Sequence, residues 1–128
     1  MGTKKETSLQ QRIQKFIESK GGYVNKNWGS MTSEPGIADL TSCYRGLYLA
    51  IEVKVDNNEP TKAQGIHARN VCKADGITAV VWAVEEVQII LGIIDHYLDL
   101  DVVLPIGMTI DHIKKRMRIA GIDDGTRY

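Results

Sequence analysis

Three features of the sequence predict an α/β fold: a single domain built on a mixed β-sheet flanked by helices. Residues 47–55 alternate, with Leu47, Leu49, Ile51, Val53 and Val55 on one side, the period of a strand with one packed face. Residues 78–84 form a nearly continuous apolar run, as a buried strand does. Between them lies a helical segment, and strand, helix, strand over this distance implies a right-handed crossover with parallel pairing. A chain of 128 residues is long enough for one real hydrophobic core.

Taken in order, Leu9, Ile13, Phe16 and Ile17 recur at helical spacing, and Gly21-Gly22 ends that helix. Glu6 falls at its start on the inward side. It can complement the helix dipole, or it can reach a charged cluster on a neighbouring element. Residues 23–27 read as a short strand and 28–35 as an irregular loop rich in Gly, Ser and Pro. Residues 37–44 read as a strand joined to 47–55 through an Arg45-Gly46 turn.

That hairpin register sets Asp39 opposite Glu52, with Lys54 on the same face two residues on. Directly opposed residues have Cβ atoms about 4.5–5.5 Å apart, and like charges there are destabilising. Such a pair needs a counter-charge. Lys54 supplies one, and a hard divalent cation such as Mg²⁺, which favours carboxylate oxygens, would supply more. The competing reading is a solvated sheet face carrying a simple Glu–Lys pair. A solvated face gives no reason to oppose two carboxylates, but a slip of one residue would move Asp39 to the other side.

Beyond the hairpin, Thr61 and Gln64 have the spacing of a capping box, which is by itself a sufficient account of Gln64. The helix they open runs through Ile66, Val71 and Cys72 and stops near Gly76. Val87, Ile90, Leu91 and Ile94 suggest a helix beginning near Glu85. Thr109 is the expected cap of a last helix with Ile110, Ile113 and Met117 inward and Gly121 as terminator. Its run of Lys114, Lys115, Arg116 and Arg118 reads as a solvated basic face, with contact to phosphates as the lesser alternative.

Several function classes are excluded or disfavoured. No apolar run approaches the roughly 20 residues that span a bilayer, and the charged start (Lys4, Lys5, Glu6) lacks the apolar core of a secretion signal. A cytoplasmic protein with Cys43 and Cys72 as reduced, partly buried thiols is expected. His67, His96 and His112 are scattered and there is no CxxC, which argues against zinc. No phosphate-binding glycine loop is present, and nothing marks a Ser or Cys triad. Net charge is zero but unevenly spread: residues 1–30 carry six basic and two acidic side chains, residues 81–105 five acidic and no basic ones. A protein that coats nucleic acid would be basic overall, whereas one that meets a few phosphates at a site need not be.

Gly36-Ile37-Ala38-Asp39-Leu40, Ile51-Glu52-Val53-Lys54 and Gln64 together resemble the PD-(D/E)XK nuclease superfamily, and within it the virus-type replication-repair nuclease (VRR-NUC) domain. The resemblance is strongest over residues 6–91. It includes Glu6 with Gln10 four residues later, and Gly76 before the next strand. Ala38 departs from the proline that the family often has before the aspartate. Residues 99–128 match no motif and form a C-terminal extension of open role. The resemblance implies a restriction-endonuclease-like fold and a Mg²⁺- or Mn²⁺-dependent DNA endonuclease, acting as a homodimer on branched DNA such as Holliday junctions. It implies that Asp39, Glu52 and the Val53 backbone carbonyl bind metal. Lys54 would orient the attacking water and stabilise charge on the phosphorane. Glu6 would support a second metal or its water shell, and Gln64 would position Lys54 or a phosphate while capping its helix. A nuclease-fold DNA-binding or assembly module without catalysis is the alternative.

Overall fold

The computed structural model describes residues 3–28 and 35–125. Its elements run α1 (Lys4–Ser19), β1 (Tyr23–Lys26), β2 (Leu40–Tyr44), β3 (Leu47–Val53), α2 (Lys62–Lys73), β4 (Ile77–Val81), α3 (Val84–Leu98) and α4 (Ile106–Ile119). The sheet has the order β1-β2-β3-β4, antiparallel across the first three strands and parallel between β3 and β4. This is the mixed sheet expected, with α2 as the crossover.

The β2–β3 hairpin has the register read from the sequence, with Leu40 opposite Ile51 and Tyr44 opposite Leu47. Arg45 and Gly46 both take positive φ (51° and 85°), as the central residues of a type I′ turn must. Leu47, Leu49, Ile51, Val53 and Val55 join Ile13, Ile17, Ile90, Ile94, Ile113 and Met117 in one core between the sheet and α1, α3 and α4. The other face of β3 is not the solvated face of the competing reading. Ala50 and Glu52 are buried there, because α2 turns small residues, Gly65 and Ala68, toward the sheet.

Other expectations are corrected. Strand β2 begins at Leu40 rather than residue 37: toward β3 it is the Asp39 side chain, not its backbone, that accepts the Val53 N–H. Thr109 does not cap α4. The helix starts one turn earlier at Pro105, whose fixed φ and missing N–H suit a helix start, and Thr109 sits inside it. Cys43 is exposed rather than partly buried. The basic run on α4 is only partly a solvated face. Lys114 is buried with Nζ 3.4 Å from the Cys72 carbonyl, and Arg118 pairs with buried Asp124 at 2.7 Å. Most of the loop read over residues 28–35 lies outside the described residues. No helix among the described residues is long and apolar enough to cross a membrane.

The C-terminal extension is part of the fold. α4 packs on α3, and the segment after it returns to the free edge of β4. There the Val80 N–H donates to the Asp123 carbonyl at 2.9 Å, and the Thr78 hydroxyl donates to the Asp124 carbonyl.

Candidate active site

The site forms where β2 enters the sheet, beside the end of β3 and the first turns of α1 and α2. Asp39 is fixed by its backbone and by its side chain. Its carbonyl accepts the Asn27 N–H at 2.8 Å, and its Oδ2 accepts the Val53 N–H at 2.9 Å. Asn27 Nδ2 reinforces this corner by donating to the Ala38 carbonyl (2.9 Å) and to Thr41 Oγ1 (2.7 Å). The corner also needs Gly36, whose φ is +85°. A Cβ there would overlap the backbone of Ala63 and Gln64, so glycine lets the Asp39 loop lie directly on the start of α2.

Glu52 is only 6% exposed, a costly setting for a carboxylate. Burial first, then a side-chain hydrogen bond with Asp39 and the charge of Asp39, push its pKa up to about 10, with Lys54 opposing. Lys54 Nζ lies 3.8 Å from Glu52 Oε1. Glu52 Oε2 is buried and has no hydrogen-bond partner. A buried carboxylate oxygen without a donor is an expensive feature, and it is the atom a bound cation would satisfy.

Glu6 is anchored at the start of α1, where the Thr3 hydroxyl caps its N–H at 3.2 Å. Partial burial, then the Asp39 charge, raise its pKa, while Lys54 and Lys26 act the other way. Glu6, Asp39, Glu52 and Lys54 therefore share one electrostatic neighbourhood. Gln64 completes the expected capping box: its N–H donates to Thr61 Oγ1 at 3.2 Å, and its Oε1 accepts the Thr61 N–H at 2.8 Å. With that oxygen committed, its amide NH₂ is the group left for a second role. Gln64 lines a cavity of about 20 Å³ with Glu52, Gly36, Ala38 and Gly125, room for about one water.

A divalent cation suits part of this set. Asp39 and Glu52 supply hard oxygens and one orphaned acceptor, and Val53, between Glu52 and Lys54, is fully buried with its N–H held by Asp39. Among the described residues no three His, Cys, Asp or Glu side chains gather closely enough to hold a metal ion by themselves. Any cation here would therefore draw on two carboxylates, backbone carbonyl and water. One contributor escaped sequence reading as a site component. Asn27, which ties down the Asp39 corner, looked like the last residue of a short strand. Gln10, one helical turn on from Glu6, is 5% exposed and its Oε1 has no hydrogen-bond partner.

Neither a protein-family model nor a curated protein sequence matches the chain. Among solved structures, a VRR_NUC domain superposes with a TM-score of 0.60 and 26% identity, covering 70% of this chain and 97% of that one. Hjc of Archaeoglobus fulgidus, a Holliday junction resolvase from an archaeal hyperthermophile, gives a TM-score of 0.49 and 16% identity over 60% of this chain and 67% of its own. The chain has a VRR-NUC-like nuclease fold, in agreement with the resemblance of its motifs.

Proposed function

We propose that this chain is a Mg²⁺- or Mn²⁺-dependent DNA endonuclease that hydrolyses phosphodiester bonds in branched DNA such as Holliday junctions, working as a homodimer. The observation that carries the reading is Glu52: a buried carboxylate set against Asp39, with one oxygen unpartnered and an ammonium 3.8 Å away. Asp39, Glu52 and the Val53 carbonyl would hold the cation, with Glu6 serving a second ion or bound water. A bound divalent ion lowers the pKa of water and neutralises phosphate oxygens. Lys54 orients the attacking water and offsets negative charge as it builds on the phosphate. Gln64, its oxygen tied to the helix cap, turns its NH₂ toward Lys54 or a phosphate oxygen. The branched substrate is what the family resemblance implies, and a two-fold dimer would present two sites for paired cuts.

A second reading, a DNA-binding or assembly module without catalysis, draws on the lack of a three-side-chain metal cluster among the described residues. Cleavage of a labelled four-way junction beside its linear duplex, in Mg²⁺ and in Mn²⁺, separates the two. Paired junction cuts by the wild type that vanish in Glu52→Gln are expected. Binding without cutting in either metal would favour the module, and equal cutting of duplex and junction would remove the branched-DNA element.

A further inference from the structure

The rim of the site carries an aromatic side chain that the catalytic reading does not use. Trp28 is 74% exposed, an unusual setting for an indole. It is not remote from the chemistry. Its neighbour Asn27 makes three hydrogen bonds to the 38–41 segment, one of them to the Asp39 carbonyl, so the backbone carrying Trp28 is fixed to the backbone carrying the metal-binding aspartate. Lys26, at the end of β1, places its ammonium 4.3 Å from the Trp28 ring centroid. An exposed indole and a cation thus stand together beside the strand entry that carries Asp39.

This pairing has the two chemistries that an unpaired nucleotide offers. A base presents a flat π-face, on which indole stacks with little regard to sequence, and its phosphate presents a negative charge for an ammonium. In a continuous duplex each base already stacks on its neighbours, so the face is hidden. At a branch point or a frayed end it is available.

We infer that Trp28 and Lys26 form a branch-sensing contact, in which the indole stacks on a base displaced at the junction and Lys26 meets the adjoining phosphate. This rests on the nuclease reading above and adds the residues that give it a preference for branched DNA. It also accounts for how one short domain could select a structure without reading a sequence.

The test is equilibrium binding of a four-way junction and of its linear duplex to the full chain in a Glu52→Gln background, which removes cutting from the readout. Adding Trp28→Ala is expected to weaken junction binding roughly tenfold, in the range for loss of one stacked base, and to leave duplex binding nearly unchanged. Trp28→Phe keeps a π-face and should restore most of the preference. Because Trp28 is exposed, the variant should fold as the parent does, which matching melting curves would check. With Trp82→Phe added, Trp28 is the sole indole, and its fluorescence should be quenched by the junction more than by the duplex. An unchanged junction-to-duplex ratio in Trp28→Ala, with junction cleavage by the otherwise wild-type enzyme intact, overturns this inference alone. Absence of DNA binding by the parent protein overturns it together with the nuclease reading.

Discussion

Glu52, buried beside Asp39, ties the stability of the fold to pH. An ordinary Glu titrates near 4.5, whereas in the fold burial and Asp39 push this one up to about 10. Between those values the folded protein holds a proton that the unfolded chain has lost. The contribution of this group to stability is therefore greatest below pH ~4.5 and declines as pH rises toward 10, with a limiting slope of about 1.4 kcal/mol per pH unit. Glu52→Gln carries no such proton. In the presence of EDTA it should match or exceed the wild type in stability, with the gap widening from acid to alkaline pH in denaturant melts. A cation held by Glu52 would reverse the order, because it would bind the ionised carboxylate: millimolar Mn²⁺ should raise the wild-type Tm, increasingly so at higher pH, and leave the variant nearly unmoved. Equal metal responses in the two proteins would argue against Glu52 as a ligand.

At the level of elements, the start of α2 serves two purposes at one residue. Gln64 closes a capping box with Thr61 and also faces the cavity beside Glu52. Glutamate at this position keeps the capping oxygen but loses the amide NH₂ and adds a charge next to the carboxylates. Gln64→Glu should melt within about 1 kcal/mol of the wild type and yet cut the junction at least about tenfold more slowly. Retained activity would reduce Gln64 to a cap. The hairpin shows why this much was legible from sequence. The alternation of residues 47–55 and the Arg45-Gly46 turn are local signals, and together they fixed the register that opposes Asp39 to Glu52. The burial of Glu52 was not legible, because it depends on α2 lying over the second face of β3, and the signal for that is only two small residues, Gly65 and Ala68, on the helix that follows. The start of α4 was misread for a different reason: Thr109 is a good cap by type, but Pro105 four residues earlier already suits a helix start, and local rules do not rank the two.

On the scale of the whole molecule, the sheet separates a dry core from the face that carries the proposed site, and the described residues after α4 reach that second face at Gly125. Nothing in the composition of residues 122–125 announces a structural role, since their partners, Val80, Thr78 and Arg118, become neighbours only through the fold. Asp124 is 4% exposed and is held by Arg118 at 2.7 Å, while Asp123 extends the β4 edge through the Val80 N–H. Gly125 then lies on Thr78 and Ala68, where even a Cβ would be tight, and lines the same cavity as Glu52 and Gln64. The segment thus blunts an otherwise open strand edge and closes the space behind Glu52. Removing it by a stop after Gly121 should leave the Val80 N–H and the Thr78 hydroxyl without their carbonyls and open the cavity to water. Losses of buried hydrogen bonds run about 1–3 kcal/mol each, so a drop in Tm of several degrees is expected from calorimetry. Hydration of Glu52 should also bring its pKa back toward the ordinary range, flattening the pH dependence of stability. A truncated chain that melts lower but keeps the wild-type pH slope would show that the tail braces the β4 edge without sealing the site.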